Sequence, residues 1–354
     1  MSKRTDFDLA GFRNQPLPTE SEIMKDWEGS SDETLVTVLC HTFNHAPYIE
    51  DALRGFLTQK TNFPFEVIVH DDASTDETPK IIDRFKKKYP HIIRPIFQVE
   101  NQYSKGIKPT SLSAPRAKGN YIACCEGDDF WINNKKLQIQ INLAKKNNDI
   151  LLFFHQALLM KDNEIVRAIN NYGCEPRVFD VSFPIKNGGG AMPTASLLIH
   201  RSIYDSLPSW IYDVPFGDYF IQAMASINGA YYFPEPHSVY RKQTPFSVSK
   251  KNSDIFGKDL EIFYNKSILA LENLDDHFNK DYSGDILWYK SKVAQNCATQ
   301  SLKFGDYNGF FKYINNSWSF KKFASNSQTV LRILQHTPRI ARILISARNR
   351  VFKI

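Results

Sequence analysis

Short apolar runs alternate with helical periodicity along the middle of the chain. Between residues 49 and 57, apolar side chains recur three and four positions apart, as on one face of a helix. Strands that alternate with helices are typical of β–α–β units, so the pattern predicts an α/β fold around a mainly parallel sheet. Five apolar runs predict its buried strands, at residues 35–40, 65–69, 92–99, 121–125 and 150–154.

The segments on either side of this pattern have a different character. Residues 1–33 are polar and contain Pro16 and Pro18, which predicts an extension that either packs on the body or moves freely. The α/β pattern is predicted to extend over residues 34–248. Beyond it the strand patterns fade, and apolar residues three and four apart predict a helical appendage over residues 249–354.

An acidic pair follows the second predicted strand. In an open parallel sheet, ligands bind outside the carboxyl ends of the strands. Asp71 and Asp72 are therefore candidates to accept hydrogen bonds from a nucleobase or a ribose. The alternative is that they only cap and turn the chain. Ser74 and Glu77 have the spacing of a capping box and predict the start of the next helix.

A second acidic cluster, formed by Glu126, Asp128 and Asp129, follows the fourth predicted strand. Three carboxylates within four residues repel one another unless a cation or bulk water neutralises them. A buried strand leads directly into the cluster, which argues against full solvation by bulk water. The sequence therefore favours a bound Mg²⁺ or Mn²⁺ ion, which takes oxygen ligands from carboxylates and substrate phosphates. The alternative is a solvated acidic turn before the next helix.

Composition limits the class of protein. With 354 residues, 42% of them apolar, the chain is long enough to bury a large core. Its apolar runs are far shorter than the roughly 20 residues of a membrane-spanning helix, and residues 1–18 have no apolar segment of the kind that a secretory signal needs. The predicted compartment is therefore the cytoplasm. The five cysteines lack metal-ligand spacing and are interpreted as reduced residues of the core.

Positive charge is concentrated at the C-terminal end. Residues 307–354 hold nine Lys or Arg and no Asp or Glu. From 330 to 354, apolar and basic residues alternate in an amphipathic pattern, which Pro338 would divide. The pattern favours either contact with an anionic membrane surface, at the inner face of the cell membrane, or a helix packed on the body with its arginines in water. No nucleic-acid-binding motif is visible, so nucleic acid is not an expected partner.

Three segments of the chain, in this order, resemble the family 2 glycosyltransferases. They read VTVLCHTFNHAPYI at 36–49, VIVHDDASTDET at 67–78 and AKGNYIACCEGDDFW at 117–131. The resemblance implies that residues 34–248 are a catalytic domain with the GT-A fold, which binds a nucleotide-diphospho-sugar donor. It also implies a metal-dependent, inverting transfer of the sugar to a hydroxyl of a glycan or lipid-linked acceptor. By analogy, the product is a bacterial surface polysaccharide or lipopolysaccharide.

The resemblance assigns nucleotide binding to loops that follow the first three strands. The first loop contacts the nucleotide, the acidic pair after the second strand reads the base, with uridine favoured over guanosine, and the third loop approaches the phosphates. Six residues carry these implied roles: Thr42 and Asn44, Asp71 and Asp72, and Asn101 and Lys105.

The resemblance assigns catalysis to later motifs. Asp128 occupies the metal-ligand position of the family's Asp-X-Asp motif, with Asp129 beside it. Glu126 stands where the family has Asp, so it is expected to contact ribose differently or through water. Asp218 matches the acid that removes the acceptor's proton, and its alternative role is to cap a helix predicted at 219–227.

A basic segment follows this acid. Arg241 and Lys242 match the segment that lies beside the diphosphate, where positive charge would stabilise the leaving group. The alternative for Arg241 is a surface ion pair. Gln243 stands where the family often has histidine, which leaves the third metal ligand undecided.

Two other functional classes remain open. A non-catalytic protein that binds sugar nucleotides or glycans would keep the fold and lose the base at Asp218. A nucleotidyltransferase would share the sheet and the metal, but it should carry a glycine-rich basic loop near the first strand, and residues 41–46 contain no glycine.

Overall fold

The computed structural model of the chain describes residues 7–29, 33–242, 244 and 255–351, and side chains as far as residue 345. The chain divides into two compact units. The predicted domain boundary at 248 lies outside the described residues and stays a prediction. Unit 1 comprises Met1–Pro184, Gly189–Tyr212 and Asp218–Phe246, and unit 2 comprises Ile185–Gly188, Asp213–Gly217 and Ser247–Ile354.

Unit 1 is built around one mixed sheet. Its described residues form ten strands: β1 (Val36–Thr42), β2 (Phe65–Asp71), β3 (Ile93–Phe97), β4 (Tyr121–Cys124), β5 (Phe130–Trp131), β6 (Leu152–Lys161), β7 (Glu164–Ile169), β8 (Arg177–Phe179), β9 (Leu198–His200) and β10 (Ala230–Arg241). The order is β3-β2-β1-β4-β9-β6-β10-β5, with β7 beside β6 and β8 beside β10. The first four strands, β6 and β10 run in one direction and the other four run opposite. The predicted α/β fold is confirmed, and its sheet is parallel from β3 to β4 and mixed beyond β4.

The parallel part of the sheet brings three chain segments to one edge. β1 lies between β2 and β4, and Thr42 at the end of β1 pairs with Asp71 at the end of β2. Leu39 pairs with Cys124, so the chain that leaves β4 emerges beside the last residues of β1. All residues of β2 are buried, as expected for a parallel strand covered on both faces. The carboxyl ends of β1, β2 and β4 therefore form the edge at which open α/β sheets bind ligands.

Helices precede and follow these strands. The helix predicted between the first two strands is confirmed as α3, whose five periodic apolar residues are all fully buried. Up to β10, the described chain forms α1 (Leu9–Asn14), α2 (Glu20–Met24), α3 (Ile49–Leu57), α4 (Thr78–Lys88), α5 (Pro109–Ser113), α6 (Lys136–Lys146), α7 (Ser182–Asn187), α8 (Ser202–Asp205) and α9 (Gly217–Ala225).

The capping box predicted at Ser74 and Glu77 is wrong. α4 begins at Thr78, and Glu77 before it makes no side-chain cap. The Ser74 hydroxyl instead donates to Oδ1 of Asp71 (2.5 Å) and accepts from the backbone N–H of Asn44 (2.8 Å). A hydrogen bond to a carboxylate is about twice as strong as a neutral one, which accounts for this choice of partner.

Unit 2 is helical, and the predicted C-terminal helical region is confirmed. A buried amide ties three of its helices together, because Nε2 of Gln328 lies 2.9 Å from both the Ser291 and the Ser317 hydroxyl. No helix in the described ranges combines the length and the apolar character that a membrane crossing requires. The helices after β10 are α10 (Gly257–His277), α11 (Ser283–Phe304), α12 (Tyr307–Phe320), α13 (Asn326–Ile333) and α14 (Pro338–Val351).

Candidate functional site

Backbone hydrogen bonds join the loops at the carboxyl edge of the sheet. The N–H of Asp72, after β2, donates to the carbonyl of Thr42 (3.0 Å), and the N–H of Gly127, after β4, donates to the carbonyl of His41 (2.8 Å). The first loop turns at Asn44, whose φ of 54° lies in the left-handed region that asparagine tolerates. The loops after β1, β2 and β4 therefore form one continuous surface.

Asp71 and Asn44 are held together through Ser74. The hydroxyl (2.5 Å) and backbone N–H (3.1 Å) of Ser74 both donate to the Asp71 carboxylate. Oδ1 of Asn44 accepts from the backbone N–H of Thr75 (2.8 Å). Asp71 is only 1% exposed, and burial raises the pKa of its carboxyl even though both Ser74 hydrogen bonds oppose the shift. A carboxylate has about four acceptor positions, so capacity remains for a donor such as a nucleobase N–H.

Asp72 shapes the loop that follows β3. Its two carboxylate oxygens accept from the backbone N–H groups of Gln102 (2.7 Å) and Tyr103 (3.0 Å). Asn101 holds the same loop, since its Nδ2 donates to the carbonyl of Asp72 (3.1 Å) and its Oδ1 accepts from the N–H of Ser104 (2.7 Å). Both side chains thus have local structural roles, and their contacts with a nucleotide stay predictions.

Lys105 lies at the end of this loop in an ion pair with Glu100. Both side chains are more than half exposed, at 52% and 63%. Exposed pairs of this kind contribute only about 0–1 kcal/mol, so an anionic ligand can displace Glu100 at small cost. The predicted phosphate contact of Lys105 remains a prediction.

The turn after β4 packs tightly on the first loop. A Cβ atom at Gly127 would lie 2.8 Å from Oγ1 of Thr42 and 3.0 Å from Nδ1 of His45. Both of these polar atoms are buried without a hydrogen-bond partner among the described residues. The close approach requires glycine at position 127, and Thr42 supports the turn from beneath.

Asp128 retains some access to solvent, since 13% of its side chain is exposed. Its Oδ2 accepts from the Thr244 hydroxyl (2.6 Å), and Nε2 of His45 lies 4.0 Å from the same oxygen. Within the described part of the chain, Oδ1 makes no hydrogen bond. Asp128 therefore has one carboxylate oxygen available for a ligand.

A divalent cation fits at Asp128 in one particular mode. Across the described ranges, no three His, Cys, Asp or Glu side chains are placed to share one ion. Mg²⁺ is commonly held through one or two carboxylates together with substrate phosphates, rather than by a complete cage of protein ligands. The available oxygen of Asp128 suits that mode of binding.

Asp129 and Arg241 form a buried pair behind the turn. Oδ1 of Asp129 accepts from the backbone N–H of Arg241 (2.8 Å), and Nη1 of Arg241 donates to the carbonyl of Asp128 (2.8 Å). The guanidinium of Arg241 also pairs with Asp51 and lies 4.4 Å from the ring centre of Phe130. Arg241 is 5% exposed, so its interpretation as a surface ion pair is wrong. Burial raises the pKa of the Asp129 carboxyl and lowers that of Arg241.

The neighbouring basic residue differs from Arg241 in its exposure. Lys242 is exposed, and its backbone N–H donates to the carbonyl of Met160 (2.9 Å). The contacts of Arg241 and Lys242 with a diphosphate stay predictions. Gln243 lies outside the described residues.

Asp218 and Glu126 line one pocket. The Thr194 hydroxyl donates to Oδ2 of Asp218 (3.2 Å). On the other side, Nδ1 of His41 lies 3.6 Å from Oε1 of Glu126, and its Nε2 lies 2.8 Å from the hydroxyl oxygen of Ser113. The pocket is further lined by Thr110, Cys124 and Tyr204.

The pKa of Asp218 is raised. Asp218 is exposed to solvent at the pocket, although many protein atoms lie around its carboxylate. Desolvation is the largest cause of the shift, the negative charge of Glu126 adds to it, and the Thr194 hydrogen bond opposes it. Asp218 is the second residue of α9, not the residue before the helix, so its interpretation as an N-cap is wrong. A carboxylate with a raised pKa is suited to accept a proton.

Sequence reasoning missed several side chains at this edge. His41 and His45 flank Thr42 in the first resembling segment, so their position in the chain was an available signal. No role was predicted for the side chains of Thr194 and Thr244, and only the folded chain brings them to Asp218 and Asp128.

Comparisons with known sequences relate this chain to enzymes that transfer sugars. Residues 37–207 match the model of the family described as Glycosyl transferase family 2. An uncharacterized protein of Mycobacterium tuberculosis is 32% identical over 216 residues, which cover 58% of this chain and 58% of that protein. Poly(ribitol-phosphate) beta-N-acetylglucosaminyltransferase TarS of Staphylococcus aureus is 26% identical over 179 residues, which cover 50% of this chain and 27% of that protein. The chain thus spans little more than half the length of the mycobacterial relative, and less of the staphylococcal one.

A solved structure shows the same fold. The crystal structure of S. aureus TarS in complex with UDP-GlcNAc matches 88% of this chain and 89% of that chain, with a TM-score of 0.55 and 17% sequence identity. At that identity the similarity is one of fold alone.

Proposed function

Because residues 37–207 match the model of Glycosyl transferase family 2 and the chain has the GT-A fold, we propose that it is a member of this family and transfers a sugar from a UDP-sugar to an acceptor hydroxyl. The acceptor is a glycan or a lipid-linked sugar of a bacterial surface polysaccharide, and the anomeric configuration is inverted. One observation carries this proposal: Asp218 and Glu126 line one pocket, and Glu126 lies two residues before Asp128 in the chain.

Asp218 is the proposed general base. Its carboxylate opens into the pocket, and the raised pKa makes it a stronger proton acceptor than an ordinary aspartate. The hydrogen bond from Thr194 orients the carboxylate. As Asp218 takes the proton, the acceptor oxygen attacks the anomeric carbon from the face opposite the diphosphate. The bond to the leaving oxygen breaks, and the configuration inverts.

Asp128 is the proposed ligand for Mg²⁺ or Mn²⁺. When bound, the ion supplies positive charge that offsets the charge of the departing diphosphate. The chain contributes orientation: Thr244 holds one carboxylate oxygen, and Arg241 holds the carbonyl of the same residue. Glu126, on the pocket side of the turn, is proposed to contact the donor's ribose.

Asp71 is proposed to read the base. Its buried carboxylate is fixed by Ser74 and offers an acceptor to a ring N–H of the base. Uracil and guanine both carry such a donor. Uridine is proposed because TarS, which shares the fold, has been crystallised with UDP-GlcNAc.

We also propose that α14 contacts an anionic membrane surface on its cytoplasmic side. Ile340, Ile343 and Leu344 have the spacing of one helical face and are 49%, 67% and 51% exposed, whereas Ala341 is buried. The apolar face is therefore not used to pack the helix on unit 2. Residues 307–354 contain no acidic residue, and each basic residue near such a surface contributes about 1 kcal/mol of attraction. A lipid-linked acceptor would be found at the same surface.

Donor binding and turnover test the proposal. UDP-sugars and GDP-sugars are compared by thermal shift and by product formation, with Mn²⁺ or with EDTA. A UDP-sugar should raise the melting temperature and should be consumed only with the metal. Asp218→Asn should keep the thermal shift and lose transfer, whereas Asp83→Asn, at a surface ion pair with Lys87, should leave both unchanged.

Other outcomes separate the alternatives. Stabilisation by GDP-sugars alone would overturn the assignment of uridine. A donor that binds the native protein without being consumed, in the presence of candidate acceptors, would indicate the binding protein instead of the enzyme.

A further inference from the structure

We infer that Arg13, in the N-terminal helix α1, is a positioning residue for the turn that carries Asp128. It acts through Asp51 and Arg241, without touching the proposed metal or donor itself. This inference rests on the proposed role of Asp128 and adds the N-terminal segment to the catalytic apparatus.

The first step is a forked contact between α1 and α3. Nε of Arg13 donates to Oδ1 of Asp51 (2.9 Å), and Nη2 donates to Oδ2 (2.7 Å). Asp51 is 2% exposed, whereas 41% of the Arg13 side chain is accessible. Arg13 thus reaches from the surface to a buried carboxylate and binds it at two points, the geometry in which arginine is strongest.

The second step joins this carboxylate to the turn. Oδ2 of Asp51 also receives Nη2 of Arg241, so one buried anion holds two guanidinium groups. Arg241 in turn donates from Nη1 to the carbonyl of Asp128 and from its backbone N–H to the carboxylate of Asp129, both at 2.8 Å. The position of Arg241 therefore fixes the backbone of the proposed metal ligand.

Aromatic packing connects the same two segments. The ring centres of Phe7 and Phe12 lie 5.7 Å and 5.1 Å from that of Phe130, which follows Asp129 directly in the chain. Phe130 also contacts Arg241, whose guanidinium lies 4.4 Å from the ring centre. Residues 7–13 thus hold the end of the turn by apolar contacts as well as through the Asp51 pair.

Although Arg13 lies at the surface, its loss should mainly disturb the geometry of the turn that carries Asp128. Asp51 would keep one partner instead of two in a site where water is scarce, and a buried charge with too few partners rearranges its surroundings. Arg241 is the remaining cation at Asp51, so we expect it to move toward that carboxylate and to lose its hydrogen bond to the carbonyl of Asp128. Lysine cannot restore the fork, because its ammonium is a single point charge.

The experiment measures Mn²⁺ binding in the full-length protein by calorimetry, at saturating UDP. Residues that support metal ligands from the outer shell typically contribute about 10–100-fold in affinity, and Arg13→Ala is expected near the lower end, about tenfold weaker. Arg13→Lys should fall between Arg13→Ala and the native protein. Arg84→Ala is the matched control, because Arg84 pairs with Glu50 on the same helix α3 (2.6 Å) but does not reach the turn.

A kinetic readout separates positioning from general destabilisation. At limiting Mn²⁺, Arg13→Ala should raise the concentration of metal that gives half-maximal transfer, and excess Mn²⁺ should restore most of the rate. Arg84→Ala should show the native metal dependence even if both variants melt at a lower temperature.

Three results would overturn the inference. The first is native Mn²⁺ affinity in a folded Arg13→Ala protein. The second is equal weakening in Arg84→Ala. The third applies if Arg13→Ala does not fold, and it is native Mn²⁺ affinity in a folded Arg13→Lys protein. Failure of the native protein to bind Mn²⁺ with UDP would instead overturn the proposed metal site, and this inference with it.

Discussion

The carboxylates of Asp218 and Glu126 line one pocket, where desolvation by nearby protein atoms and then the negative charge of Glu126 raise the pKa of Asp218. Two like charges in one concave site favour the protonated form of the group with the stronger proton affinity. This relationship couples the proposed base to a residue that is itself proposed to contact the donor, and it makes the reaction sensitive to pH.

The rate of transfer should fall as the pH is lowered through the pKa of Asp218, because a protonated carboxyl cannot accept the proton of the acceptor hydroxyl. That acid limb should lie at a higher pH than it would with an unshifted aspartate, since the pKa is raised. Glu126→Gln removes the neighbouring charge and should move the limb to lower pH. The measurement is kcat/KM against pH, and a limb that stays in place in Glu126→Gln would contradict the coupling.

Replacement by asparagine should affect transfer differently at Asp128 and at the adjacent Asp129. Asp128→Asn should abolish metal-dependent transfer, because it removes the oxygen charge available to the cation. Asp129→Asn keeps an acceptor for the backbone N–H of Arg241 and should retain most of the activity. Mn²⁺ titrations of both variants make the comparison, and the reverse order of effects would show that the roles are exchanged.

Ser74→Ala should weaken UDP binding. It removes the hydroxyl that donates to Asp71 and accepts from Asn44, and a hydrogen bond to a charged group contributes about 1.5–3 kcal/mol, so an affinity loss of about tenfold is expected. Calorimetry with UDP measures the loss. Thr75→Val is the control, because the Thr75 hydroxyl makes only a long contact with Asn44 (3.3 Å). Equal effects in the two variants would argue against an organising role for Ser74.

Gly127→Ala should destabilise the protein and impair transfer. The new Cβ would lie 2.8 Å from Thr42 and 3.0 Å from His45, and overpacking of this kind typically costs about 1–3 kcal/mol. Gly284→Ala is the control, since the space around that position is open. Chemical denaturation of both variants gives the free energies of unfolding. A native-like stability of Gly127→Ala would mean that the turn rests less tightly on the first loop.

Ile343→Asp should reduce binding to vesicles that contain anionic lipid, because it places a charge on the exposed apolar face of α14. Ile262→Asp, at an exposed position of α10, should bind like the native protein. Co-sedimentation with and without anionic lipid, at low and high salt, measures the difference. Retention of native binding by Ile343→Asp would remove α14 from the proposed membrane surface.

Much of the fold followed from local pattern. The apolar runs predicted β1, β2, β3 and β4 to within two residues at each end. For β1 and β2 the reason is that a strand buried on both faces needs a mostly apolar run. The capping-box prediction failed because the spacing of Ser74 and Glu77 does not exclude another partner for the Ser74 hydroxyl. Ser74 has the right separation from Glu77, but the folded chain offers it the carboxylate of Asp71.

Sequence by itself determined the alternation of the first four strands with helices and the placement of the acidic residues after β2 and β4, because side-chain periodicity and residue spacing are local properties of the chain. Only the tertiary structure decided which of those residues face the pocket and which are buried supports. Arg241 and Asp51 are 190 positions apart, and Arg13 is 38 positions from Asp51, so no local pattern connects them. Their pairing depends on the packing of α1, α3 and β10, which brings distant charges into one site where water is excluded.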